Sequence, residues 1–254
     1  MKILSAILLF IFFYLFFLSK KSNDVIFSPK IEKSSENIEN KTITSLSSEN
    51  VKITLCNKIS LSISGKIFYQ NGKFRLLASS FFGKELDIGL NDDFLWYWSK
   101  RSKPKALYFS LKKNLHRSNL KSALNPEWLI ICLNTKNELT NIKEKISLPQ
   151  GDLLIKDHKN SLESGMMVGT LIDKNTKRIK GNYLFSANGK MVASSEVLDY
   201  QFISGFVIPK KIYIIWYAEA ISMIWDLADV NINNEINPNY WIMPNINPKI
   251  DISK

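Results

Sequence analysis

Alternating apolar and polar residues, joined by tight turn signals, dominate the chain from about residue 44 onward. The segment ISGKIFYQNGKFRLLAS has an Asn-Gly pair at its centre. Such a pair favours a two-residue type I′ turn, because both turn residues adopt positive φ. In that register Ile67 lies opposite Leu76 and Tyr69 lies opposite Phe74. The pattern therefore predicts a hairpin with one apolar face.

Two further segments predict hairpins of the same kind. In YLFSANGKMVASSEV a second Asn-Gly pair places Phe185 opposite Val192. In KELDIGLNDDFLWYW a three-residue turn over residues 91–93 joins two strands whose apolar residues alternate along one face. Glu85 and Asp87 fall between these apolar residues, which is typical of the solvent face of a strand. The cross-strand pairs predicted for this hairpin are Leu90 with Phe94, Ile88 with Trp96, and Leu86 with Trp98.

The C-terminal third continues the β pattern, and one segment is helical. YQFISGFVIPKKIYIIWYAE and SMIWDLADVNIN are long, β-rich segments joined near residues 219–222. NPEWLIICLN predicts a helix with Asn125 as N-cap and Pro126 in its first position, and Trp128, Ile131 and Cys132 share one face. The succession of hairpins predicts a mainly β protein with a few helices, whose antiparallel sheet curls into a barrel or half-barrel.

The N-terminus carries the clearest signal of compartment. Residues 3–18 form an almost unbroken apolar run with lysines on both sides, which is typical of a secretory signal or a short membrane anchor. No pair of small residues suited to cleavage follows the run, and this favours an uncleaved anchor. We predict a signal or anchor segment over residues 1–21, a polar tether over 22–43 and a folded domain over 44–254. The domain is expected on the periplasmic side of a bacterial cell envelope, either tethered to the membrane or secreted.

The basic composition suits an anionic partner, and two partners compete. The net charge is +11 and the pI is about 9.4, yet only four of the 34 basic residues are arginines, whose forked side chain reads phosphates best. A basic stretch follows the tryptophans, as a platform for single-stranded nucleic acid would require. Its serines and proline instead indicate a loop, and the aromatic residues are not interleaved with the charges. We therefore predict contact with anionic lipid headgroups and no nucleic acid. The residues concerned are Lys100, Arg101, Lys103 and Lys105.

No catalytic or metal-binding motif is present in the sequence. It has no GxSxG, HExxH or P-loop pattern. Cys56 and Cys132 lie far apart without metal-ligand spacing, so buried free thiols are the simplest interpretation, although a single disulfide stays possible. His116 and His158 are predicted to be solvated surface residues. We expect a protein without enzymatic activity, cofactor or bound metal.

Several segments, taken in order, resemble the outer-membrane lipoprotein carrier and receptor family (LolA/LolB-like). GKIFYQNGKFRLLASSFFGKELDIGLNDDFLWYWSKRSKPKALYFS is similar to the part of that family in which a strand with an aromatic pair follows an acidic or Asn/Gly turn. SANGKMVASSEVLDYQFISGFVIPKKIYIIW resembles its later hairpin and proline-started strand. NPNYWIMPNINPKIDI resembles its closing segment. The resemblance covers roughly residues 44–252.

This resemblance implies an incomplete antiparallel barrel with a helical lid, enclosing an apolar cavity for the acyl chains of a lipoprotein. In the family's carrier, an arginine directly before a proline gates the lid, and the corresponding position here is Gln70 before Asn71. The family's receptor is lipid-anchored through an N-terminal cysteine, whereas this chain has the apolar run over residues 3–18. The resemblance thus points to a membrane-tethered relative of the carrier and receptor.

Together these observations predict an envelope protein that binds lipid or lipoprotein acyl chains in its half-barrel, in the trafficking of lipids or lipoproteins to the outer membrane. The alternative is a structural or assembly protein of the envelope whose half-barrel docks a protein partner and whose interior is filled by its own side chains. Plain core packing is the competing role for each candidate cavity residue. The candidates are Ile67, Tyr69, Phe74, Leu76, Ile88, Phe94, Trp96, Trp98, Phe185, Ile214 and Trp216.

Overall fold

Fourteen β-strands hold most of the residues that the structure describes. The computed structural model describes residues 42–56, 61–117, 125–133, 141–158, 165–217 and 220–253. The strands are β1 (Ser45–Cys56), β2 (Leu61–Gln70), β3 (Lys73–Ser80), β4 (Gly83–Leu90), β5 (Phe94–Ser99), β6 (Leu107–Leu111), β7 (Glu144–Leu148), β8 (Gly151–Asp157), β9 (Met167–Ile172), β10 (Ile179–Phe185), β11 (Met191–Ile203), β12 (Phe206–Trp216), β13 (Ile221–Ile232) and β14 (Lys249–Asp251). Helix α1 (Pro126–Cys132) and two 3₁₀ turns (Lys112–Arg117 and Pro238–Trp241) complete the elements of the described residues.

All fourteen strands form one curved sheet that does not close. Their order is β14-β6-β5-β4-β3-β2-β1-β13-β12-β11-β10-β9-β8-β7. Neighbouring strands are antiparallel, except that β14 pairs with β6 in parallel. Because β14 and β7 stand at the two edges, the sheet is an incomplete barrel, as the sequence predicts.

Helix α1 packs against the inner face of this sheet. It begins where predicted, with the Asn125 side chain accepting a hydrogen bond from the Glu127 backbone N–H at 2.9 Å. Trp128 and Cys132 are buried in the main hydrophobic cluster, together with residues of both halves of the sheet. We call this cluster the inner cluster. The Asn182 amide of β10 donates to the Ile131 carbonyl of α1 at 3.3 Å, which ties the helix to the sheet.

The hairpin between β2 and β3 has the predicted register. Ile67 lies opposite Leu76 and Tyr69 lies opposite Phe74. The two turn residues have positive φ angles of 47° and 86°, which the type I′ turn requires. All four side chains belong to the inner cluster.

The hairpin between β10 and β11 has the predicted register from Gly181 to Leu184, but the register shifts by one residue at Phe185. Phe185 lies opposite Met191 and not Val192. The Ser186 N–H donates to the Lys190 carbonyl at 2.9 Å, and Gly189 has a positive φ of 81°. The loop is therefore one residue longer than predicted and has a glycine bulge. Phe185 packs in a second hydrophobic cluster and not with the inner cluster.

The predicted register of the hairpin between β4 and β5 is wrong. Leu90 lies opposite Leu95, Ile88 opposite Tyr97 and Leu86 opposite Ser99. The Asn91 N–H donates to the Phe94 carbonyl at 2.9 Å, so the chain turns over two residues and not three. A slip of one residue moves every side chain of a strand to the other face.

Within the part of the chain that the structure covers, no helix is both long and apolar enough to cross a membrane. The predicted anchor and the predicted tether up to residue 41 lie outside the described residues. Cys56 and Cys132 are both free thiols, and burial raises the pKa of Cys132.

Candidate functional site

The turns of the N-terminal half of the sheet define two ends of the half-barrel. Because neighbouring strands are antiparallel, four parts of the chain meet at one end. They are the end of β1, the β3–β4 turn, the β5–β6 loop and the start of β13. We call this the mouth end. Strand β1 begins at the opposite end, where Ser45 pairs with Gln70 beside the first Asn-Gly turn.

An apolar cleft of about 100 Å³ lies at the mouth end, between the ends of these strands. Its wall consists of side chains from β1, β2, β3, β4 and β13, and its polar residues are few. The apolar residues are Ile53, Leu55, Leu61, Ile63, Leu76, Leu86 and Met223, and the polar ones are Glu85, Ser99 and Arg101.

Two polar residues of the cleft, Glu85 and Arg101, belong to a small charged network. The Ser80 hydroxyl donates to Glu85 Oε1 at 2.6 Å, while Lys100 Nζ lies 3.4 Å from the same oxygen. Arg101 Nε lies 3.6 Å from Glu85 Oε2. The Ser80 hydrogen bond, followed by that of Lys100, holds the pKa of Glu85 below its ordinary value, so the carboxylate is ionised at neutral pH. Glu85 is thus a cleft residue and not the freely solvated residue that we predicted.

Two phenylalanines project from the β3–β4 turn at the mouth end. Phe81 is 99% exposed and Phe82 is 80% exposed. Lys100 donates to the Phe82 carbonyl at 3.0 Å, and its ammonium lies 6.0 Å from the centre of the Phe82 ring. The sequence analysis missed this pair. Its signal is present, because turns normally carry polar or small residues and two adjacent large aromatic residues in one are unusual.

The predicted basic loop lies beside this aromatic turn. It joins β5 to β6 at the mouth end, and Lys103 and Lys105 are exposed. Arg101, whose side chain is 72% exposed, also belongs to the cleft wall. The structure thus brings together the basic loop, the exposed aromatic pair and the opening of the cleft. Contact of this loop with a membrane stays a prediction.

Seven of the predicted cavity residues lie together in the inner cluster. All seven are almost fully buried, in the same cluster as Trp128 and Cys132 of α1. Of these seven, only Leu76 also lines the cleft. The seven are Ile67, Tyr69, Phe74, Leu76, Ile88, Ile214 and Trp216.

Three other predicted cavity residues lie on the opposite face, which corrects the prediction. Phe94, Trp96 and Trp98 alternate with inner-cluster residues of β5 and belong to a cluster that the C-terminal segment covers. We call it the outer cluster. A Cβ atom on Gly89 would lie 2.0 Å from the Trp96 ring, so the indole occupies the space above this glycine. The outer cluster consists of Phe94, Trp96, Trp98, Leu107, Phe109, Met243 and Ile246.

A buried polar network lies beside the outer cluster. Asp87 is fully buried, and its carboxylate accepts from Arg75 at 3.2 and 2.9 Å and from the Trp96 indole N–H at 3.0 Å. Lys84 also donates to it. Burial raises the pKa of Asp87, but the hydrogen bonds and charges of Arg75 and Lys84 outweigh this effect and hold it below its ordinary value. The prediction that Asp87 faces solvent is therefore wrong.

This network fastens the C-terminal segment to the sheet. Arg75 Nη1 donates to the carbonyl of Tyr240 at 2.9 Å and to that of Ile242 at 3.3 Å. The Tyr240 ring stacks on Phe68 with 3.8 Å between centroids. Gln70 Oε1 accepts a hydrogen bond from the Trp241 indole N–H at 3.2 Å.

The described residues contain no group of three or more His, Cys, Asp or Glu side chains that could hold a metal ion. His158 is half-buried and not a solvated residue as predicted, and burial lowers its pKa to about 4. Its imidazole is thus neutral at physiological pH. The His116 side chain lies outside the described part.

Comparison with known proteins identifies the fold. No family model matches the chain, and no curated protein matches its sequence. A DUF1329 family protein from Desulfovibrio piger superposes with a TM-score of 0.55 at 12% identity, covering 79% of this chain and 90% of its own. A LolA superfamily protein from Nitrosomonas europaea superposes with a TM-score of 0.52 at 12% identity, covering 78% of this chain and 90% of that protein. A domain from Vibrio parahaemolyticus, named for outer membrane lipoprotein sorting, superposes with a TM-score of 0.52 at 10% identity. The match covers 78% of this chain and 88% of that domain. At these identities the likeness is one of fold, and the fold is LolA/LolB-like.

Proposed function

We propose that the protein binds lipid acyl chains at the mouth of its half-barrel and docks this end on a membrane, without catalysing a reaction. One observation carries the proposal: the apolar cleft lies at the same end of the half-barrel as the exposed pair Phe81 and Phe82 and the basic loop, whose Arg101 belongs to the cleft wall. The setting is the bacterial cell envelope, and the role is lipid or lipoprotein trafficking to the outer membrane. The apolar run over residues 3–18 and the LolA-like fold support this setting.

The cleft suits part of an acyl chain. Burial of a methylene group contributes about 0.8 kcal/mol, so burial alone can hold a chain end of a few methylenes. The seven apolar side chains of its wall provide such a surface.

The residues around the cleft have the chemistry needed to contact a membrane surface. Exposed aromatic side chains insert at the boundary between headgroups and acyl chains, and each lysine or arginine near an anionic membrane adds about 1 kcal/mol. Phe81 and Phe82 provide the aromatic contact, and the loop from Lys100 to Lys105 provides the charge. Docking in this orientation places the cleft opening next to the lipid that would enter it.

A second candidate function, docking of an envelope protein partner, is supported by the packing of the inner cluster. The seven inner-cluster residues predicted to line a cavity are packed instead of facing empty space. In this case the cleft would bind no acyl ligand, so direct titration separates the two functions.

Filling the cleft should abolish acyl binding. Leu61→Trp adds a large side chain to the cleft wall and excludes two or more methylenes, so we expect affinity for a fluorescent fatty acid to fall at least about tenfold. Ile242→Trp, on an exposed residue of the C-terminal segment, is the matched control and should leave affinity unchanged. The measurement is fluorescence titration of protein beginning at residue 42. If the unsubstituted protein binds no fatty acid, acyl binding is wrong and partner docking becomes the better hypothesis.

Removing the exposed aromatic pair should weaken membrane docking. Full burial of one phenylalanine contributes about 1.5 to 3 kcal/mol, so partial insertion of two predicts at least about a tenfold loss of binding when both Phe81 and Phe82 are replaced by serine. The measurement is co-sedimentation of protein beginning at residue 42 with phosphatidylglycerol vesicles. Phe202→Ser is the control, because Phe202 is 72% exposed but lies at the opposite end of the half-barrel. An equal loss with Phe202→Ser would show that exposed aromatic surface binds vesicles without regard to position.

A further inference from the structure

We propose that the cleft selects single-chain amphiphiles with an anionic headgroup, whose chain end enters the cleft and whose headgroup is held by Arg101 and Lys100. This inference rests on the proposed function and specifies the ligand of the same site. Three observations support it, namely the size of the cleft, the position of its polar residues and the charge at its rim.

The size of the cleft limits it to one chain. A cavity of about 150 Å³ holds a single benzene ring, so the cleft of about 100 Å³ holds a few methylene groups of one chain. Beyond the cleft, Ile67, Phe74 and Ile88 of the inner face are almost fully buried among their neighbours and leave no space for a further chain beside them. Two or three acyl chains side by side do not fit in this arrangement.

The polar residues of the cleft lie on strand ends at the mouth, which orients the ligand. Ser99 is the last residue of β5, Arg101 follows it in the loop, and Glu85 lies near the start of β4. The apolar wall reaches inward from there along β1, β2 and β3. A ligand that matches this distribution has an apolar end that points inward and a polar end at the rim.

The charge at the rim favours an anionic polar end. Two cations, Lys100 and Arg101, flank the single carboxylate of Glu85, which the Ser80 hydroxyl also holds. Arg101 approaches Glu85 through Nε, and its side chain is 72% exposed, so the guanidinium presents donors to a ligand at the opening. A carboxylate or phosphate can accept from such a fork in two parallel hydrogen bonds, whereas a cationic headgroup would be repelled.

Three probes with the same chain and different headgroups test the inference. They are dodecanoate, dodecan-1-ol and dodecyltrimethylammonium, each with a photoreactive diazirine at the chain end. The full chain is held in phosphatidylcholine nanodiscs, and labelling of cleft residues such as Ile63 and Leu76 is measured by mass spectrometry against probe concentration. Because the probes also partition into lipid, each probe is compared between protein variants and not with the other probes.

We expect Arg101→Gln to raise the dodecanoate concentration for half-maximal cleft labelling about tenfold, a factor that corresponds to about 1.4 kcal/mol. Lys100→Gln should act in the same direction, dodecan-1-ol labelling should not change, and dodecyltrimethylammonium labelling should rise or stay the same. Lys105→Gln is the matched control, since Lys105 belongs to the same loop but not to the cleft wall. It should leave dodecanoate labelling unchanged.

The outcomes separate this inference from the proposed function. If no probe labels the cleft, the acyl-binding function itself is wrong. If all three probes label it and Arg101→Gln changes none of them, the cleft binds chains without selecting the headgroup, and only the inference is overturned. An equal effect of Lys105→Gln and Arg101→Gln on dodecanoate would likewise overturn it, because it would indicate diffuse attraction by the loop and not a headgroup site.

Discussion

Replacement of Asp87 by alanine should lower the free energy of unfolding by about 3 to 5 kcal/mol, because it leaves a buried guanidinium without its counter-ion. Asp87 is fully buried and Arg75 nearly so, and two hydrogen bonds join them. The substitution also removes the acceptor of the Trp96 indole N–H. Chemical denaturation monitored by tryptophan fluorescence measures the loss.

A surface ion pair of the same sheet is the control for this prediction. Lys73 and Asp92 lie 2.6 Å apart, but the Asp92 side chain is largely exposed. Exposed pairs contribute about 0 to 1 kcal/mol, so Asp92→Ala should have little effect. Similar small losses for both variants would contradict the role given to the buried network.

The same carboxylate makes stability depend on pH in a defined direction. The pKa of folded Asp87 is held below its ordinary value of 3.8, so the unfolded chain binds the proton more readily than the folded one. Its contribution is therefore complete above about pH 5 and is lost as pH falls through 3.8 toward the folded value. Unfolding measured from pH 7 down to pH 3 should show a smaller loss of stability in Asp87→Ala than in the unsubstituted protein.

Replacement of Trp96 by alanine should cost about 3 to 5 kcal/mol of stability, as expected for a fully buried tryptophan, while leaving acyl labelling of the cleft unchanged. The indole packs over Gly89 on the outer face, whereas the cleft lies on the inner face. The two measurements are denaturant unfolding and labelling by the dodecanoate probe under conditions where the variant is folded.

Leu86→Ala provides the opposite pattern for comparison. Leu86 is a partly buried residue of the cleft wall, so its truncation should change dodecanoate labelling and cost less stability than Trp96→Ala. Loss of cleft labelling in folded Trp96→Ala would contradict the position of Trp96 outside the ligand site.

The β4–β5 hairpin shows what sequence pattern could and could not predict. The alternation of apolar and polar residues located both strands. Whether Trp96 lies on the inner or the outer face of the sheet, however, depends on the number of residues in the turn. The Asn91 side chain accepts from the backbone N–H groups of Asp93 and Phe94, at 2.9 and 2.7 Å, and so closes a shorter loop than expected. A glycine inside a strand often marks a place where another group approaches closely, so Gly89 was the available signal that a large side chain lies above it.

The helix and the first hairpin could be predicted because their signals are local. Asn125 and Pro126 start the helix within one turn, and the first Asn-Gly pair fixes its own register. The cleft has no such local signal. It arises because β1 pairs with both β2 and β13, which brings Ile53 and Met223 to one wall although they are far apart along the chain.

The position at which β1 begins determines how far the mouth end can lie from the N-terminal apolar run. β1 begins at the end opposite the mouth and has 12 residues, so the sheet is about 40 Å tall along it. The stretch between residue 18 and residue 45 can extend to at most about 90 Å, roughly twice that height. If residues 3–18 anchor the chain, the domain is attached by its base. Its binding end is then free to point away from the anchoring bilayer and to reach a second one that faces it.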